Sequence, residues 1–174
     1  TIHGFQSRHP IFASIVRLAQ FWMHAHGFAG HLRIEALELL VAAVFTSPAP
    51  FQPPSSVFSG FLKFLHLLGH HDFESIPIVV DFLEDISTND MQNIQSLFEK
   101  SREEHPERTS MHIVASYSRE AGWKSIWTTS SPEPVVLHRM KAIAQICTND
   151  IIFWIRQPRQ KKASKLAKRL FQMS

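Results

Sequence analysis

Along the first third of the chain, apolar and polar positions alternate with the period of an α-helix. Between Pro10 and about Gly27 the apolar residues fall at Ile11, Phe12, Ile15, Ala19 and Trp22. This spacing predicts a helix with one buried face, and Pro10 is suited to its first turn. The stretch LRIEALELLVAAVF (32–45) is apolar on nearly every side, so it predicts a helix buried within a bundle. TSPAPFQPP then breaks the pattern, because proline lacks an amide proton and disfavours helical geometry in the residue before it. Ser55 and Ser56 can accept the orphan amide protons of a third helix, whose stripe is Phe58, Phe61, Leu62, Leu65 and Leu68. Gly69 reads as its stop, with His70 and His71 in the exit loop.

Past residue 73 the period changes. IPIVVDF (76–82) is short and β-branched and predicts a buried strand, whereas STNDMQNIQSLFEKSREEH predicts a capped helix with Met91, Ile94, Leu97 and Phe98 on one face. MHIVASYS (111–118) alternates as a half-buried strand does, SREAGWK reads as a turn, and SIWTT (125–129) reads as the returning strand of a hairpin. SPEP opens a helix carrying Val136, Leu137, Met140, Ile143, Ala144 and Cys147. IIFWI (151–155) fits either a last strand or the tail of that helix. The expected class is α+β. An α-helical part over residues 1–73 precedes an α/β part over 74–174, whose ferredoxin-like β-α-β-β-α-(β) order ends in a basic C-terminal helix.

Composition narrows the chemistry. With 174 residues, 44% of them apolar, the chain suits one ordinary domain or two small ones packed together. No run is long enough to span a membrane, and TIHGFQSRHP has no secretory signal pattern. The single cysteine, Cys147, forms no internal disulfide, so a reducing compartment is the default. Eleven histidines include two clusters, His24, His26 and His31, and His66, His70 and His71. Without a His-Glu-x-x-His pattern or an adjacent carboxylate in the first cluster, they read as surface and helix-end side chains rather than as metal ligands. Glycine loops for phosphate and the Gly-x-Ser-x-Gly elbow are absent. Asp72, Asp81, Glu84, Asp85 and Asp90 scatter around helix ends and a strand exit, not across adjacent strands as two-metal phosphoryl transfer needs. Neither a catalytic residue nor a metal or other cofactor is expected.

Charge is unevenly placed. Residues 1–90 hold 4 Lys+Arg against 8 Asp+Glu, a net of −4, and residues 91–174 hold 14 against 7, a net of +7. RQPRQKKASKLAKR (156–169) has seven cations and no acid. In KKASKLAKRLF, Ala163, Leu166, Ala167 and Leu170 share one side of a helix, while Lys161, Lys162, Lys165, Lys168 and Arg169 crowd the other. These five are the candidate contacts to RNA phosphate. Basic amphipathic helices also bind acidic proteins and membrane surfaces, and the RNP1 signature of RNA-reading sheets is missing, with Tyr117 and Trp127 no substitute for it.

Several ordered segments resemble one family. HPIFASIVRLAQFWMHAHGF, LRIEALELLVAAVF, PAPFQPPSSVFSGFLKFLHLLGHHDFESIPIVVDF, IQSLFEKSREEHPERTSMHIVASY, the pair Trp127 and Thr128, and PEPVVLHRMKAIA together cover about residues 9–147. They are similar to the Nrap family of nucleolar RNA-associated proteins of the small-subunit processome. The resemblance implies two tandem copies of a class I, CCA-adding-type nucleotidyltransferase in the whole protein. This chain would be the second copy's poly(A)-polymerase-like helical domain with the terminal α/β domain. It also implies a scaffold in nucleus and nucleolus that has lost nucleotidyl transfer. The implied partners are pre-ribosomal RNA and processome proteins, including an RRM-containing partner and casein kinase 2. Lys63 stands where the family often has arginine, and Phe73 where it often has tryptophan. The segment after Ile152 fits the family poorly, so its cations are assigned from charge pattern. A rival expectation is the substrate-holding part of an active nucleotidyltransferase, and a third is a protein-binding module without RNA contact.

Overall fold

The computed structural model describes residues 2–47, 50–105, 111–128 and 132–157, with the side chains of Ile2 and His3 left aside. The described elements run α1 (Ile2–Arg8), α2 (Phe12–Ala25), α3 (Ile34–Thr46), α4 (Val57–His70), β1 (Ile78–Val80), α5 (Thr88–Glu104), β2 (Ile113–Ala115), a 3-10 turn at Ser116–Ser118, and α6 (Pro134–Arg156). The class is α+β.

Helix α3 lies at the centre for the reason its sequence suggested. Nearly every side is apolar, and Leu39, Leu40, Val41 and Ala42 are all fully buried. α2 and α4 flank it, and α6 lies along α4 in the most extensive helix pairing of the molecule. α4 starts where the serines predicted. Ser56 accepts from the Ser59 amide while the Ser59 hydroxyl accepts from the Ser56 amide, a reciprocal cap that satisfies two otherwise orphaned donors. Its buried stripe is Phe61, Phe64, Leu65 and Leu68. Phe58, expected on that stripe, faces solvent.

Gly69 does not stop α4, which continues through His70. The absent side chain serves close approach instead. A Cβ there would lie 2.9 Å from Gln145 Cγ and 3.1 Å from the Gln145 backbone nitrogen on α6.

The two strands pair in parallel, with Ile78 opposite Ile113 and Val80 opposite Ala115. Side chains alternate across them. Ile78, Val80, Ile113 and Ala115 face the main core with α3, while Val114 turns to the other side and joins Ile94 of α5 and Trp123 in a small second cluster. α5 is therefore the crossover of a β-α-β unit. It is capped by Ser87 and Asp90 in the same reciprocal way as α4. Ile94 and Phe98 are its buried residues, and Met91 and Leu97 are exposed.

The expected hairpin strand over 125–129 is not formed: residues 125–128 are irregular, and Thr129 is outside the described residues. The physical reason is visible at the β2 edge. Ile113 N–H, which would donate to a third strand, donates instead to Ser125 Oγ at 3.0 Å, and the Ser125 and Thr128 hydroxyls are themselves in hydrogen-bond contact. A side-chain hydroxyl thus caps the sheet edge. The turn at 118–124 is present, with Gly122 and Trp123 both at positive φ. IIFWI resolves as helix, the last turns of α6. Among the described residues the ferredoxin-like order is reduced to β-α-β-α, with β1, α5, β2 and α6.

Periodicity did not predict α1. Its Phe5 is buried against Phe12 of α2, Phe45 of α3 and Phe82 after β1, each ring meeting it edge-on at 5.1–5.8 Å. Arg8 adds a guanidinium hydrogen bond to the Phe82 carbonyl at 2.8 Å. One continuous core runs from Phe5 to Ala144, across residue 73.

Candidate nucleic-acid interface

Lys161, Lys162, Lys165, Lys168 and Arg169 all lie outside the described residues. The structure shows what leads to them. The final turns of α6 carry Phe153, Trp154 and Ile155 exposed, with the Phe153 and Trp154 rings edge-on at 5.9 Å, and Arg156 closes the helix. Rings and a cation thus stand together on the last stretch of chain before the basic segment.

His66 and His70, which the sequence presents as surface or helix-end side chains, join Lys63 in a second constellation at the end of α3. Lys63, His66 and His70 sit at spacings of three and four on α4, which places them on one side of the helix. They rim a cleft of about 200 Å³ whose floor is Ala43, Val44 and Leu67. The His66 and His70 rings stack, 4.2 Å apart and tilted by 15°. Phe51, from the proline-rich loop, meets His66 edge-on at 4.9 Å. Lys63 reaches that loop too, donating to the Gln52 carbonyl. The spacing was legible, but the ring from the preceding loop was not.

The other sequence-predicted groups have structural partners. His71 ring Nε2 lies 2.9 Å from the Ile76 carbonyl. Burial lowers its pKa, and burial followed by the neighbouring His70 lowers that of His66. The His26 ring lies tilted against Trp22, 4.9 Å between centres, and 3.9 Å from Cys147 Sγ, while Cys147 rests against the main core as its apolar stripe implied. Asp72, Asp81, Asp85 and Asp90 are engaged within the fold. Asp72 accepts from the Glu74 and Ser75 amides; Asp81 accepts from the amides of Leu83, Asp85 and Ile86; Asp85 and Asp90 hold Arg119. Among the described residues no group of three or more His, Cys, Asp or Glu is placed to hold a metal ion. No helix among them is long and apolar enough to cross a membrane.

Phe73, where the resemblance led one to look for an indole, is buried, with the Lys141 ammonium 5.7 Å from its ring centre and the Arg102 guanidinium on its carbonyl. Tyr117 stacks on Phe82, and Trp127 lies under the Arg33 guanidinium at 5.1 Å. Neither belongs to a ring platform on the sheet.

The sequence is similar to several known proteins. Nucleolar protein 6 of Xenopus tropicalis is 34% identical over 140 residues, which is 80% of this chain and 12% of the relative. The human protein of the same name is 34% identical over 143 residues, 82% of this chain and 12% of its own length. The U3 small nucleolar RNA-associated protein 22 of Schizosaccharomyces pombe is 21% identical over 155 residues. The chain thus spans about an eighth of the length of the curated relatives it matches. A family model described as Nrap protein PAP/OAS1-like domain 5 matches residues 9–173, and the chain belongs to that family.

Proposed function

We propose that this chain is a non-catalytic architectural domain of a nucleolar ribosome-biogenesis factor, acting in the small-subunit processome during processing of pre-18S RNA. The family match over residues 9–173 carries this reading, together with relatives whose names place them in the nucleolus and with U3 small nucleolar RNA. In it, residues 1–73 form a poly(A)-polymerase-like helical support for an α/β unit over 74–174. Lys161, Lys162, Lys165, Lys168 and Arg169 contact phosphates of pre-ribosomal RNA. Processome proteins, among them an RRM-containing partner and casein kinase 2, are its protein neighbours.

Charge supports the RNA assignment. The excess of cations in the second half lies mostly in 156–169, beyond the exposed Phe153 and Trp154, and pairing of aromatic rings with cations suits single-stranded RNA. The test is electrophoretic binding of structured RNA by the intact protein as salt is raised. Substituting the five cations with alanine is expected to weaken binding and flatten its dependence on salt, because fewer counterions are then released. Unchanged affinity and slope would remove the role of these residues.

A further inference from the structure

The cleft at the end of α3 shares no residue with the 161–169 segment, and it is built differently from a solvated basic face. Four of its lining side chains are Lys63, His66, His70 and His71, and no Asp or Glu lines it. Its floor is apolar, and a ring stack stands at its side. Such a combination answers to a ligand with one anionic group and one flat, partly apolar group.

We propose that this cleft seats one nucleotide of single-stranded RNA, with the base against the Phe51, His66 and His70 rings and the phosphate on Lys63. The proposal rests on the RNA-contact reading above and adds a second, separate site to it.

The division of labour follows from donors and acceptors. A lysine ammonium has three donors, and Lys63 spends one on the Gln52 carbonyl, leaving others for phosphate oxygens. His70 Nδ1 lies 3.0 Å from the His66 carbonyl. A carbonyl only accepts, so Nδ1 donates to it and that donor is not free for a phosphate; in the tautomer with its N–H at Nδ1, Nε2 can accept from the exocyclic amine of a base. The carbonyl end of α3, at Ser47, favours the same amine and disfavours an anion. Phosphate is left to the Lys63 side.

Size agrees as well. About 200 Å³ falls below the roughly 300–1,000 Å³ of sites for drug-sized molecules, which suits a single base better than a larger cofactor. Phe51 is 42% exposed, and every base has a π-face to set against an aromatic ring.

The test uses the intact protein, a short mixed-sequence single-stranded RNA, ultraviolet crosslinking and peptide mapping. Crosslinks are expected on the peptides that contain Phe51 and His66. Phe51→Ala, at an exposed position, is expected to lower the crosslink yield there about fivefold or more, the scale of one lost base stack. Lys63→Ala is expected to lower it most at low salt and to flatten its fall as salt rises, because one phosphate contact fewer is lost to screening, while the alanine variant of the five C-terminal cations leaves crosslinks at Phe51 in place. A circular-dichroism melt of each variant separates loss of contact from loss of fold. If crosslinks appear only on the basic segment, the cleft proposal is overturned and the RNA-contact reading stands. If no peptide of this chain crosslinks, both fall. Lys63-dependent binding of a polyglutamate probe without any crosslink at Phe51 would assign the cleft to acidic protein partners and also overturn the proposal.

Discussion

The Gln145 side-chain amide donates to the Gly69 carbonyl at 2.7 Å, where α6 packs against α4 at a point with no room for a β-carbon. The hydrogen bond and the close approach are one feature. The amide can reach that carbonyl, near the end of α4, only because residue 69 has no side chain.

Gly69→Ala is therefore expected to destabilise the protein by about 1–3 kcal/mol, despite the gain of about 1 kcal/mol that alanine brings to a helix. Gln145→Ala should cost about 1 kcal/mol for the lost hydrogen bond. The pair should be less than additive, because Gln145 Cγ is one of the atoms that blocks the new methyl. Urea denaturation of the two single variants and the double variant measures this. Additive losses would show that the helices can part to accommodate the methyl.

A similar contact joins α4 to α2. A Cβ on Gly60 would overlap Ile15 Cδ1 and lie 3.3 Å from Pro54 Cβ. Gly60→Ala should destabilise, and Ile15→Val, which deletes that δ-carbon, should restore part of the loss although alone it costs about 0.5–1.5 kcal/mol. Thermal melts of the double variant that fall below both singles would refute the geometry.

His112 gives a pH dependence with a definite sign. Its Nε2 is buried without a hydrogen-bond partner, and burial, with Arg102 nearby, pushes its pKa from 6.5 down to about 4. Between those values the unfolded chain binds a proton that the folded chain does not, so stability falls as pH drops from about 6.5 to about 4. Chemical denaturation at pH 7 and pH 5 should show the wild type losing about 2 kcal/mol more than His112→Phe, which keeps a ring against Phe98. His9, His66 and His71 are also lowered and add to the loss in both proteins, so the difference between them isolates His112. Equal losses would place the titration elsewhere.

The elements most legible in sequence were those whose signal is local. Ser56 announced α4, Ser87 announced α5, and the apolar circumference of α3 announced its burial, because caps and periodicity act within a few residues. What was missed depends on distant parts of the chain. Gly69 reads as a helix stop until α6 is laid against it. SIWTT alternates like a strand, yet Ser125 finds its partner in the Ile113 amide and the alternation goes unused. α1 carries too few residues to show a period, and its burial is decided by three phenylalanines elsewhere. At the candidate sites, charge pattern pointed to the 161–169 cations, whereas the Lys63 cleft becomes visible only when the loop holding Phe51 is folded back onto α4.

The anchoring of α1 bears on how this protein can be cut. The family boundary begins at His9, one residue after the helix that holds Phe5 and Arg8. Trimming the chain to that boundary would leave the edges of Phe12, Phe45 and Phe82 open to water and strip the Phe82 carbonyl of its guanidinium. A shortened protein of that kind would tend to clump through the uncovered rings, so the seven residues of α1 belong in any fragment meant to stay monodisperse.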